Sequence, residues 1–192
     1  MMKLKIFTLL FILFSAFIFA QNKSYVEDQA IRKSVVYFAN TIKYKKLDKT
    51  VDCLYPKFFT VFPKNKMTQL LNMTYDNPFA KIDILDMKFA SVGKPELIDG
   101  EYFSIVSYYL KMKADVSQMN EDMKKMISNV LISKYGKDNV NYLDKDGTYN
   151  ITAPTKVCAI SSDKKSWKLV PVEREFKSQL VKVLPKSILD RL

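Results

Sequence analysis

Apolar positions change period repeatedly along the chain. An almost unbroken apolar run fills Ile6 to Ala20, behind Lys3 and Lys5 and ahead of the polar Gln21. That order of basic, apolar and polar segments is the layout of a cleavable export leader, with cleavage expected between Ala20 and Gln21, although Ile18 stands where a small residue is preferred. The run falls short of the ~20 apolar residues that a spanning helix needs. No cysteine follows it to accept a lipid anchor. The expected organisation is a signal peptide over 1–20 and one α+β domain over 21–192, destined for the periplasm or the medium.

Helical spacing comes next. Ser24-Tyr25-Val26-Glu27 reads as a capping box, in which each side chain can reach the other residue's amide. Behind it Ile31, Val35, Phe38 and Ile42 recur at intervals of four and three, predicting one helix to about Lys46 with a single buried stripe. Asp48 is the expected cap of a shorter helix through Val51 and Leu54, stopped by Pro56, which disfavours helical geometry at Tyr55. A third helix is expected from Pro63, with Met67, Leu70 and Leu71 inward and Asn77-Pro78 as its breaker.

The period then shortens to two. Ile82 and Ile84 alternate in phase, Met87 and Phe89 out of phase, so a bulge is expected at Leu85-Asp86. After the turn dipeptide Asp99-Gly100, Tyr102 to Met112 is rich in aromatic and β-branched residues and predicts a long central strand. Ser117 to Tyr135 returns to helical period with Met123, Met126, Ile127, Val130 and Leu131 on one side, read as core packing. Gly136 suits its C-terminal end. Tyr149 to Ile160 and Trp167 to Val172 predict a hairpin turning over Ser162 to Lys165. Leu180, Val181, Leu184, Ile188, Leu189 and Leu192, around Pro185, predict a docked tail.

Composition narrows the class. Apolar residues make up 48%, with 4 Gly and 7 Pro in 192 residues, which suits a folded domain rather than a disordered or low-complexity chain. The net charge of +11 favours acidic partners. In an exported protein those are anionic envelope components, phosphorylated headgroups or polysaccharide, rather than nucleic acid. The lysines are scattered in short pairs such as Lys45-Lys46, Lys124-Lys125 and Lys164-Lys165, without the aromatic interleaving of nucleic-acid readers. Scattered charge of this kind also simply keeps a protein soluble.

The order of a helical first third, a bent strand, a long strand and a closing hairpin with Trp167-Lys168-Leu169-Val170 resembles the NTF2-like (SnoaL-like) superfamily. Leu54-Tyr55-Pro56-Lys57-Phe58-Phe59 resembles the Leu-x-Pro-x-Phe turn after the second helix in many of its members. The resemblance implies a conical domain, a curved antiparallel sheet wrapped on the N-terminal helices. A cystatin-like sheet over a helix is the nearest alternative. The Ser117 to Tyr135 helix would be an insertion in that plan, and the residues after Val172 an extension of it.

Catalytic chemistry is narrowed by elimination. The chain has 0 His, which removes histidine-based nucleophile systems and the commonest metal ligand. Asp144, Asp146 and Gly147 resemble a calcium loop, but the twelve-residue register puts Tyr142 first and Ala153 last, where side-chain oxygen ligands are required. A turn is the expectation there, and no metal, cofactor or catalytic residue is assigned. A ketosteroid-isomerase type of site needs an Asp base and a Tyr or protonated Asp in an apolar cone. Tyr37, Tyr55, Asp52, Asp83 and Tyr108 are of the right types, yet no motif fixes a role for any of them. Cys53 and Cys158 could pair in an oxidising compartment or serve as small buried residues.

The expected function is therefore non-catalytic binding of a small apolar or anionic ligand, in a cone lined by residues such as Phe38, Ile105 and Tyr109. The alternatives are a histidine-free isomerase or lyase, and an interaction protein with a filled cone that forms a homodimer through its sheet.

Overall fold

A computed structural model describes residues 26–76, 81–173 and 176–192. The expected leader with its Ala20 to Gln21 junction, the Ser24 half of the capping box and the Asn77-Pro78 breaker lie outside the described residues.

Helix α1 covers 26–43, and its expected stripe is the buried one: Ile31, Val35, Phe38 and Ile42 are all at most 8% exposed. Its neighbours fix its course. Glu27 pairs with Lys164, which also lies over the Tyr102 ring, while Lys45, just past the other end, donates to the Ile82 carbonyl at 2.8 Å. Tyr102 and the Ile82 partner Ala114 stand near opposite ends of one strand. Helix α1 therefore lies along the length of the sheet.

Helix α2 is Leu47–Asp52 and α3 is Lys64–Tyr75. Asp48 does not cap α2. The helix starts one residue earlier at Leu47, and Asp48 sits in the first turn, where its charge still complements the positive helix end. Leu54 has left the helix and bridges Leu169, and Tyr55 is extended ahead of Pro56 as proline requires. Pro56–Thr60 forms a 3-10 turn. On α3 Met67 and Leu71 are buried, whereas Leu70 is 40% exposed and not the core residue expected.

Among the described residues the sheet is antiparallel and has six strands: β1 Lys81–Val92, β2 Glu96–Ile98, β3 Glu101–Asp115, β4 Val140–Leu143, β5 Thr148–Ser161 and β6 Lys168–Pro171. Strands β3 and β5 form the centre, paired from Tyr102↔Ser161 to Asp115↔Thr148. Both β1 and β2 lie on the free side of β3, and both β4 and β6 on the free side of β5. The expected slip in β1 is present as a register shift between Ile84 and Asp86, with Leu85 turned out. A second shift lies between Phe89 and Ser91. Each adds local bend and twist. Asp99 and Gly100 both take positive φ in the β2–β3 turn, 50° and 84°.

Alternation gives the sheet two different faces. The inner one carries Ile84, Met87, Phe89, Val106, Tyr108, Leu110, Met112, Ile151 and Val157, in one buried or half-buried cluster with the α1 stripe. Arg32 of α1 lies 4.7 Å from the centre of the Phe89 ring. The outer face is apolar at one end, where Phe103, Ile105, Cys158, Ile160 and Val170 share it. Towards the other end it bears Lys88, Tyr109, Lys111, Lys113, Asp83 and Asp86.

Helix α4 is Glu121–Tyr135, begun by Asn120, whose side chain accepts from the Met123 amide at 2.9 Å. The methionine stripe on it is not core. No residue of α4 is buried, and Met123, Met126 and Val130 are 41%, 67% and 60% exposed. The helix sits beside β4 and β5, near the end of the sheet where β5 begins, and turns only Ile127, Leu131 and Tyr135 towards the core. Asp144–Asp146 forms a 3-10 turn closed by Gly147 at φ 61°, the turn expected. A Cβ on Gly147 would stand 2.9 Å from Ser117, so glycine is required there on two counts.

The tail docks through α5, Lys177–Leu180, and α6, Lys186–Leu189. Leu180, Leu184 and Ile188 are buried, but Val181 points outward at 61% exposure. Arg191 forks onto Glu96 of β2 at 2.6 and 3.1 Å. Glu96 stands opposite the outward Phe103 in the β2–β3 ladder, so the end of the tail reaches the apolar part of the outer face.

Candidate functional site

The interior expected to be a ligand cone is occupied by side chains. Phe38, Met67, Tyr108, Leu110 and Met112 are each 8% exposed or less and belong to one core. Phe38, Ile105 and Tyr109 do not line a common space. Ile105 and Tyr109 are odd-numbered residues of β3 and face outward, away from the inner face that α1 covers, and Tyr109 is 44% exposed.

A hollow lies outside, between the sheet and the tail, an open groove of about 840 Å³. Its floor comes from register neighbours, Ser107 with Lys156 and Tyr109 with Pro154. Its apolar wall is Val172, Leu180, Leu189 and Leu192. Lys177 and Glu173 complete it, and the Glu173 carboxylate is engaged by Lys134 of α4 at 3.0 Å. A smaller hollow of about 170 Å³ lies between α1 and β1 beside Asn40, Lys43 and Asp86.

The residues considered for an isomerase do not converge. Tyr108 is on the inner face and Asp83, opposite Lys113, on the outer one. Asp52 pairs with Lys64 at 3.2 Å and Asp83 with Lys81 at 3.7 Å, both partly exposed, while Tyr37 is 54% exposed. Tyr55 donates to both oxygens of Glu101, at 2.9 and 2.7 Å, and Lys57 approaches the same carboxylate at 3.2 Å. Burial, then that hydrogen bond, raises the Tyr55 phenol above its usual pKa, so its proton is already committed. Tyr108 and Tyr75 are raised further, by burial first and in part by the Glu173 charge. Among the described residues no cluster of His, Cys, Asp or Glu could hold a metal ion.

Both cysteines are free thiols. Strand β6 separates them: the Leu169 amide donates to the Cys53 carbonyl on one side, and Val170 pairs with Cys158 on the other. Two strand spacings of about 4.8 Å put them beyond the ~7 Å Cα reach of a disulfide. Cys53 Sγ donates instead to the Lys49 carbonyl at 3.2 Å. Burial pushes the Cys158 thiol up to about 12, partly offset by Arg191. The thiolate is the reactive form, so alkylating reagents at pH 8 are expected to spare Cys158 in the native protein and to modify both cysteines in guanidinium. Cys158 reacting as fast natively as when unfolded would contradict the burial. Because its folded pKa is raised, the Cys158 contribution to stability is complete below about pH 8.5, the unfolded value, and is lost as pH climbs towards 12. Tyr75 and Tyr108 act in the same direction, and Cys158→Ala should flatten the first part of that decline in urea midpoints.

No protein-family model matches the sequence, and no curated protein matches it. Among the described residues no helix is long and apolar enough to cross a membrane.

Proposed function

We propose that the chain is an exported recognition module, freed of its leader between Ala20 and Gln21, that binds a small ligand without turnover. Its build follows the NTF2-like plan, with a long helix held against a bent antiparallel sheet. The binding place in this reading is not an internal cone but the groove between the outer face and the tail. The observation that carries it is the contrast between a filled interior and an open groove of about 840 Å³, within the range of ligand-sized clefts. The absence of convergence among Tyr37, Tyr55, Asp52, Asp83 and Tyr108 supports binding over the isomerase alternative.

The test is mass spectrometry of small molecules retained by the natively purified protein. A retained species is expected in the wild type and absent from Leu189→Arg, which places a charge in the groove wall. Retention unaffected by Leu189→Arg would overturn the groove as the site. Turnover of hydrolase or enone-isomerase substrates that disappears in Asp52→Asn or Asp83→Asn would overturn the non-catalytic reading.

A second reading, an interaction protein, is favoured by the outward stripe of Met123, Met126 and Val130 on α4. The exposed outer sheet face, with Lys88, Lys111, Lys113, Asp83 and Asp86, carries the charge that interface cores lack, so a homodimer through that face is the weaker form of it.

A further inference from the structure

We infer that the groove selects a single-chain anionic amphiphile: an alkyl or acyl chain against Val172, Leu180, Leu189 and Leu192, and a carboxylate or phosphate head at Lys156 and Lys177. The inference rests on the groove being the binding place and adds the chemistry of what it holds. The lining is divided in kind. Three half-buried aliphatic side chains, Val172, Leu189 and Leu192, offer apolar surface with the buried Leu180 behind them, and two lysines offer cationic heads. Val172 and Lys156 are held side by side, since the Val172 amide donates to the Lys156 carbonyl at 3.1 Å, so apolar and cationic lining meet at one point.

Charge complementarity favours an anion over a neutral or cationic head. The acidic residue among the described lining, Glu173, has its carboxylate bound to Lys134 at 3.0 Å. The lining is therefore net cationic. Lys88 stands opposite Tyr109 on the same face, directly beyond the floor, and adds positive charge there, whereas Lys111 is offset by its register partner Asp86. The Ser107 hydroxyl and Tyr109 phenol add neutral hydrogen-bonding groups to the floor. The groove has the volume for one chain with its head and is walled on one side by the docked tail, which suits an individual amphiphile rather than a flat bilayer surface.

The experiment is calorimetric titration of the full mature protein, at low salt and below micellar concentrations, with decanoate, decyl phosphate, decyl maltoside, decyltrimethylammonium and inorganic phosphate. The expected result is binding of decanoate and decyl phosphate about tenfold or more tighter than the cationic amphiphile. Affinity should rise up to about fourfold per added methylene from eight to twelve carbons, the increment for burying a CH₂. The tighter of the two anions identifies the head as carboxylate or phosphate. Lys156→Glu with Lys177→Glu, both at exposed positions, should remove the anion preference while leaving decyl maltoside unchanged. Decyl maltoside binding as tightly as the anions would overturn the inference and leave the groove reading standing. Inorganic phosphate binding as tightly as decyl phosphate would also overturn it, by showing a surface ion site without a chain. Failure of every amphiphile to bind would overturn the inference, while the groove reading stands or falls on the Leu189→Arg comparison.

Discussion

Phe58→Ala is expected to lower the unfolding free energy by about 3–5 kcal/mol, the range for deleting a fully buried aromatic ring. Phe58 is 0% exposed and stands in a knot of rings, 6.3 Å from Phe59, 6.0 Å from Phe62 and 6.4 Å from Phe176. Those partners come from the 3-10 turn, the residues that follow it and the start of the tail, so the cavity left by alanine opens where the tail meets the segment between α2 and α3. Against a total stability of about 5–15 kcal/mol, such a loss is a large fraction. Urea denaturation of the two proteins measures it. Phe59→Ala, at a half-buried neighbour, serves as the control and should cost clearly less. Equal losses for the two would show that Phe58 is not the hub of the knot.

The second large effect is expected at Ile188. Ile188→Ala should cost about 2–5 kcal/mol, because the side chain is fully buried in α6. Its more informative consequence is local. Ile188→Asp would bury an unpaired carboxylate, so the tail should detach to hydrate it. The apolar end of the outer face then loses its cover, and Cys158 becomes open to alkylation under native conditions while most circular dichroism signal is retained. A variant that stays folded with Cys158 still protected would show that the tail is not what shields the thiol.

Local pattern was legible wherever the responsible force was local. The α1 stripe, the Pro56 stop, the bulge at Leu85 and the Asp99-Gly100 turn all follow from spacing, proline geometry or positive φ, and each can be read within a few residues. The misreadings share a different cause. The α4 stripe of Met123, Met126 and Val130 has helical period, but period says only that a face is apolar, not that anything covers it. Leu70 and Val181 fail for the same reason. The short strands β2 and β4 were missed because three or four residues carry too little alternation to count. The second shift in β1, at Ala90, leaves the same signal as the first, an interval of three between the inward Phe89 and Val92, and is readable from the same spacing.

The candidate groove was not legible at all. Its floor residues Ser107 and Lys156 are brought together by the β3–β5 register, and its wall comes from a tail whose docking place no local pattern specifies. Phe38, Ile105 and Tyr109 are expected from the sequence to line one cone, yet strand alternation separates the last two from the first by the thickness of the sheet. The free state of the cysteines likewise depends on β6 lying between them, a fact of pairing rather than of spacing.

The central ladder of β3 and β5 joins two long strands between which all of α4 and β4 intervene in the chain. Closing that connection has an entropic cost before any rung of the ladder forms. Domains dominated by such non-local pairing fold in about milliseconds to seconds rather than microseconds. Until β3 finds β5, neither face of the sheet exists, and α1 has nothing on which to lay its stripe. For a chain proposed to be exported, that delay suits any route that threads it through a membrane: a polypeptide whose decisive contact is distant in sequence stays threadable for longer.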